Sequence, residues 1–248
     1  MVPEVSIIMS AFNEENFLDK SLQSVLHQTF DKWELLITDD CSSDSSWKIL
    51  QRYRNLDKRI RLFSNKINKG LAKNLNMMIK ETNSQIIVRF DCDDLMHKER
   101  LQKQFQFLAK NEDISVVGSG ANLIDSEGGF IKTVLMPETD DLIKKYLIKG
   151  PAFIHPATMM RKSFLENLNG YDENLKKAQD YDLWLRGRSK YEYANIQEPL
   201  ISYRVRLKTN NLLSIRNSLL IRFKHFDGME KLKTLFWFIK ETLAYLKK

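Results

Sequence analysis

Four short runs of branched apolar residues, 5–9 (VSIIM), 34–38 (ELLIT), 60–63 (IRLF) and 86–90 (IIVRF), recur through the first hundred positions with helical patterns between them. Runs this short and continuous suit strands buried on both faces of a parallel sheet. Between the first two, Leu18, Leu22, Val25 and Leu26 fall at i, i+4, i+7 and i+8, a single apolar stripe. DSSWKILQRYRN (44–55) opens on capping residues, and GLAKNLNMMIKE (70–81) repeats the helical period. After the fourth run, HKERLQKQFQFLAKNE (97–112) is a charged helix with Leu101, Phe105 and Leu108 on one face. Strands alternating with helices predict βαβ units and an α/β sheet of a nucleotide-binding type. Ligands of such sheets bind beyond the carboxyl ends of the strands. Polar clusters stand at those places: SAFNEE after the first run, DDCSSDSS after the second, DCDD after the fourth.

From residue 115 the texture changes. SVVGSGANLID, GGFIKTV and EPLISYRV read as further strands, some antiparallel, and AQDYDLWLRGRSK as a helix. No repeat, low-complexity tract or Pro/Gly linker marks a boundary. Residues 1–208 therefore read as one domain, followed by a basic helical tail at 209–248. Of 248 residues, 43% are hydrophobic and 29% charged, ordinary for a globular chain able to bury a core. The start, MVPEVSIIMS, lacks the pattern of a signal peptide, and no apolar run is long enough to span a bilayer. Two cysteines, Cys41 and Cys92, form neither a disulfide framework nor a zinc cluster, which fits a cytoplasmic protein. The net charge of +7 is concentrated in the tail, where residues 201–248 hold eleven Lys/Arg and three Asp/Glu. A basic tail on a nearly neutral domain gives no expectation of nucleic-acid binding.

The cluster DCDD places Asp91, Asp93 and Asp94 within four positions, and repulsion among them calls for a cation. An EF-hand loop would need Gly and Glu where Met96 and Gln102 stand. A dehalogenase-type phosphatase would place its Asp-x-Asp after the first strand rather than the fourth. An Asp-x-Asp that holds Mg²⁺ or Mn²⁺ on a nucleotide diphosphate agrees with the position, since hard divalent ions take carboxylate and phosphate oxygens. A solvated acidic turn capping the next helix is the bland alternative.

The opening VSIIMSAFNEENFLDKSLQSVLHQTFDKWELLITDDCSSDSS resembles the nucleotide-sugar-binding start of family 2 glycosyltransferases of the GT-A fold. NKGLAKNLNMMIKETNSQIIVRFDCDD resembles the stretch leading into that family's metal motif. FIHPATMMRKSF, NGYDENLKKAQDYDLWLR and LISYRV resemble its acceptor half. The likeness runs from about residue 4 to 206, in order, and implies a nucleotide-sugar-binding half over about 1–95 and an acceptor half over about 96–208. Capsule, exopolysaccharide and lipopolysaccharide sugar transferases share this pattern. It implies an inverting, metal-dependent transferase acting on a glycan or lipid-linked acceptor.

The resemblance also distributes roles. Asp40 lies where the family contacts the nucleobase, with Asp39 beside it, and a carboxylate there can accept the imide N–H of uracil; helix capping is the alternative for both. Ser10, Ala11 and Phe12 fall where the family lines the base pocket. Asp93 is the expected direct metal ligand, and Asp91 and Asp94 are expected at ribose, water or metal. Arg89 balances charge, and Lys73 is read as solvated. In AQDYDLWLR, Gln179-Asp180 stands where the family's usual pair is Glu-Asp, so the second residue, Asp180, is the expected general base. Helical spacing puts Trp184 on the face of Asp180, an expected platform for an acceptor sugar, and leaves Asp182 and Arg186 as a structural i, i+4 pair. His155 could meet acceptor or phosphate, or be structural. Where the family often has a histidine near the metal, this chain has Arg204 and Arg206, and an arginine there could clamp the diphosphate.

In the tail, Leu232, Leu235, Phe236, Ile239, Leu243 and Leu246 make an apolar stripe with lysines at both ends and Trp237 and Tyr245 beside it. It reads as a helix that lies on an anionic membrane surface at the inner face of the cell membrane, or packs back on the domain or against a second subunit. A nucleotidyltransferase of related fold would carry a Gly-rich, basic first loop, which SAFNEEN is not. A non-catalytic scaffold would have no need of Asp93 and Asp180.

Overall fold

The structure is a computed structural model that describes residues 2–206 and 211–246, with side chains described throughout except in 211–216 and 241–246. The expected boundary at 208/209 and the side chains of Leu243, Tyr245 and Leu246 lie outside the described residues.

The expected alternation is present: β1 (Val5–Ala11), α1 (Leu18–Leu26), β2 (Trp33–Asp39), α2 (Ser46–Leu56), β3 (Ile60–Ser64), α3 (Leu71–Glu81), β4 (Ile86–Arg89). β3, β2, β1 and β4 lie side by side and parallel, Ile7 opposite Leu35 and Val88. The second half adds β5 (Leu95–Met96), α4 (Arg100–Lys110), β6 (Ile114–Ile124), β7 (Phe130–Val134), α5 (Asp140–Tyr146), β8 (Met159–Arg161), α6 (Lys162–Asn167), α7 (Gln179–Gly187) and β9 (Glu192–Arg204). The sheet continues β4-β8-β6-β9-β5, with β8 antiparallel to both neighbours and β7 antiparallel on β6. This is the expected mixed α/β sheet flanked by helices.

Successive strand residues point to opposite faces, so each face buries its own layer. Ile7 and Met9 pack with Leu22 of α1, Leu50 of α2 and Leu101 of α4. Ile8 packs with Leu75 of α3, Phe164 of α6 and Leu183 of α7. β1 and β2 therefore need apolar side chains on both sides, which is why they read as unbroken runs.

Short β5 and β8, and helices α5 and α6, were not anticipated; two or three residues carry no usable period. β9 starts six residues before the EPLISYRV expectation because Pro199 breaks the pattern. Pro199 sits at a register shift, opposite Gly120, where a missing N–H costs no ladder bond. Two helices close the chain, α8 (Asn211–His225) and α9 (Gly228–Leu246).

Candidate active site

The carboxyl ends of β1, β2 and β4 converge, and the three polar loops meet there. Left-handed Asn13 and Cys41 turn the chain sharply after β1 and β2. The first two loops are then knitted together: the Asn13 amide donates to Ser42 Oγ (3.0 Å), the Ser43 amide to Asn13 Oδ1 (2.9 Å), and the Glu14 amide to Ser46 Oγ (2.8 Å). Much of the polarity of SAFNEE and DDCSSDSS is thus spent holding the rim of the site.

The two aspartates at the end of β2 stand in different surroundings. Asp40 is enclosed, and its carboxylate accepts the amides of Lys69 and Gly70 and the Asn65 side-chain amide, each at 2.8 Å. Burial alone would raise its pKa, but these bonds outweigh it and hold the carboxyl below its ordinary range. Asp40 fastens the turn into α3, where Gly70 has φ +86°, with both carboxylate oxygens engaged. In Asp39, Oδ2 accepts the Ser42 amide (3.2 Å), while Oδ1 is buried without a partner. Phe12 stands 48% exposed on the same rim. Ser10 Oγ accepts from Asn74 (2.9 Å). Ala11 does not line a pocket; its side chain is fully buried and its carbonyl accepts the Asp40 amide (2.8 Å).

Asp91, Asp93 and Asp94 each present an oxygen within 4.8 Å of the others. Arginines neutralise them. Arg89, only 3% exposed, meets Asp91 Oδ1 at 2.5 Å from below. Arg206 Nε meets Asp93 Oδ2 at 2.7 Å, and the same guanidinium pairs with Glu14. Asp94 is fully enclosed, which corrects its expected place at the donor; its Oδ1 accepts the Arg204 amide (2.8 Å) and its Oδ2 is buried without a partner. Burial and the Asp91 charge push the carboxyls of Asp93 and Asp94 up. The Arg204 guanidinium is committed to the carbonyls of Asp93 (2.8 Å), Asp125 (2.7 Å) and Ser126 (2.8 Å), so it is a strut and not a diphosphate clamp. The set of carboxylate oxygens, one of them orphaned, fits a hard divalent ion such as Mg²⁺ or Mn²⁺ held by Asp91 and Asp93 with Asp94 behind them.

Next to this cluster is a cavity of about 560 Å³ lined by Arg89, Asp91, His155, Gln179, Asp180 and Tyr203, among others. Asp180 stands half-buried in the first turn of α7, after left-handed Ala178. Burial raises the Asp180 carboxyl, and the Tyr181 amide offsets part of that. His155 Nε2 bonds the Tyr171 hydroxyl at 2.8 Å, and burial, with Arg89 nearby, keeps its pKa well below the ordinary value, so it is a neutral part of the cavity wall.

Trp184 is no acceptor platform. It is 0% exposed, its ring 4.9 Å from Phe153 and 6.1 Å from Phe164. Helical spacing rightly puts it on one face with Leu183, but that face is the core. Asp182 and Arg186 do pair (2.7 Å), and Asp182 also takes His225 of α8 at 2.9 Å. Lys73 is exposed, as expected. Sequence reasoning missed Tyr203, on β9 with the SYR run as its only signal, and undervalued Arg89, whose Nε and Nη1 are buried without partners beside Asp180.

Residues 6–168 match the sequence profile described as Glycosyl transferase family 2. The chain is 32% identical over 211 residues to the O-antigen biosynthesis glycosyltransferase WbnJ of Escherichia coli, covering 83% of this chain and 81% of WbnJ. Its fold is similar to S. aureus TarS 1-349 in complex with UDP-GlcNAc (TM-score 0.73, 20% identity, 93% of this chain and 69% of that one). It is also similar to the mannosyltransferase PcManGT from Pyrobaculum calidifontis in complex with GDP-Man and Mn²⁺ (TM-score 0.70, 16% identity, 94% and 68%).

Proposed function

We propose, from the premise that this chain belongs to glycosyl transferase family 2 and is a glycosyltransferase, that it moves a sugar from a UDP-sugar onto a glycan or lipid-linked acceptor in surface polysaccharide synthesis, with inversion. The observation that carries this reading is one cavity lined by both Asp91 of the acidic cluster and Asp180 of α7. Donor and acceptor sites that meet at one wall suit direct transfer. The relative in O-antigen biosynthesis supports the polysaccharide setting. The UDP-GlcNAc and Mn²⁺ complexes of fold neighbours support a nucleotide-sugar donor and a divalent ion. The position of Asp91 before residue 95 and of Asp180 after it supports a division into a donor half (about 1–95) and an acceptor half (about 96–208).

The acceptor hydroxyl oxygen attacks the anomeric carbon as its proton passes to Asp180. The bond from that carbon to the diphosphate oxygen breaks, and its electron pair leaves on the diphosphate. A carboxylate raised by burial is a stronger base for this step than a solvated one. Arg89 pairs with Asp91 and lines the same cavity, and so ties the acidic cluster to the wall that holds Asp180. Asp39, at the carboxyl end of β2, and the exposed ring of Phe12 take the nucleobase. A divalent ion on the acidic cluster would supply charge neutralisation for the leaving diphosphate.

UDP and UDP-sugars with Mn²⁺ are expected to raise Tm by roughly 5–10 °C at about a hundredfold excess over Kd. The shift should vanish in Asp93→Ala. A flat response to UDP, GDP, dTDP and CMP nucleotides under every metal would move the non-catalytic scaffold reading ahead, and a GDP-only response would reassign the donor. The two β2 aspartates separate in the same assay. Asp40→Ala orphans the Lys69 and Gly70 amides and should cost about 1–3 kcal/mol of stability. Asp39→Ala should leave the unliganded melt nearly in place and abolish the uridine shift; the reverse pattern returns base contact to Asp40.

A further inference from the structure

The helix α9 is docked on one side and bare on the other. Its inner side is fixed: Glu230 pairs with Arg188 at the end of α7 (2.6 Å and 2.9 Å), Thr234 is buried, and the Trp237 ring lies 4.9 Å from Lys149 Nζ. The outer side presents Met229 (68% exposed), Leu232 (64%), Phe236 (63%) and Ile239 (50%), spaced three or four residues apart. Side chains at that spacing share one face of a helix. A continuous apolar stripe in solvent marks an interaction surface.

We propose that this face of α9 lies on an anionic lipid surface and sets the acceptor cavity beside that surface. Charge identifies the occupant. Lys233 and Lys240 are exposed and fall on the rim of the stripe, while the described acid of the helix, Glu230, is already neutralised by Arg188. A basic rim around an apolar stripe attracts an anionic headgroup layer. A second copy of the chain would set these lysines against their own counterparts. No helix among the described residues is long and apolar enough to cross a membrane, so the helix lies in the interface. Its placement ties it to the site: Ser218 of α8 and Pro151, two residues from Lys149, both line the cavity that holds Asp180. An acceptor anchored in the lipid would then enter without leaving the surface.

The test is co-sedimentation of the full chain with vesicles of phosphatidylcholine alone and with roughly one third phosphatidylglycerol. The chain should pellet with the anionic vesicles at physiological salt and stay in solution with the neutral ones. Leu232→Ser/Phe236→Ser and Lys233→Glu/Lys240→Glu should each lose about tenfold or more of that partitioning, with unchanged Tm because the replaced side chains are exposed. Absence of anionic-vesicle binding, or binding retained in both variants, overturns the proposal. So does a dimer in sedimentation velocity that Leu232→Ser/Phe236→Ser dissociates, which would give the face to a second copy. Vesicle binding is read without turnover, so it stands or falls apart from the transfer chemistry.

Discussion

Asp180→Asn is expected to lower kcat for transfer by about 10²–10⁴-fold, the usual contribution of a positioned general base, with the donor-induced melt shift retained. Asparagine has the same shape and leaves the first turn of α7 intact, but it cannot take the acceptor proton. Loss of kcat without loss of donor binding is the signature of a group that acts on the reacting atoms. The pH profile supplies a second readout. Activity rises as Asp180 loses its proton, and burial places that limb above the ordinary carboxylate range. A variant that turns over at the parental rate would move the base elsewhere in the cavity.

The largest expected effect on stability is at Asp182, two residues after Asp180 and on another side of α7. Its carboxylate is fully buried and paired with Arg186, His225 and Lys224. Removal of one partner strands the others, so Asp182→Ala should cost about 3–5 kcal/mol, a large share of the about 5–15 kcal/mol a domain possesses. Urea unfolding of the variant measures this directly; a cost under about 1 kcal/mol would show the network to be slack. The same group makes stability depend on acid. Burial would raise Asp182, but its bonds to His225 and Arg186 win and hold it at about 2. A depressed carboxyl contributes its stability above the unfolded pKa near 4 and loses it as pH falls through about 2. The acid limb of the melt should therefore flatten in the variant between those values. Since α7 also carries Asp180, the network that joins α7 to α8 holds the base in place.

What could be read from the chain followed from how local the cause was. β1, β2 and β4 announce themselves because burial on both faces demands mostly apolar residues in succession. Asp91 and Asp93 announce themselves because clustered like charges are costly without a purpose. Trp184 was misplaced because helical spacing gives the face a residue shares, not whether that face meets solvent or core. Asp39 and Asp40 could not be told apart for a related reason: adjacent aspartates look alike until their hydrogen-bond partners, 25 to 30 residues away for Asp40, are known. β8, three residues long, depends wholly on its neighbours β4 and β6 for its existence.

The bond from the Arg204 amide to Asp94, 110 residues apart in the chain, bears on the order of assembly. The acidic loop belongs by sequence to the first half, yet its buried carboxylate is satisfied only by the end of β9. Contacts of such separation form late, after the long loop between them has been closed. The first ninety-five residues carry the parallel strands and much of what holds the acidic loop, the Ser21 hydroxyl on the Asp91 carbonyl and Arg89 on the Asp91 carboxylate. The Asp94 carboxylate gains its partner only when the end of β9 lies beside β6, so the deepest part of the acidic cluster is finished by the last strand of the sheet.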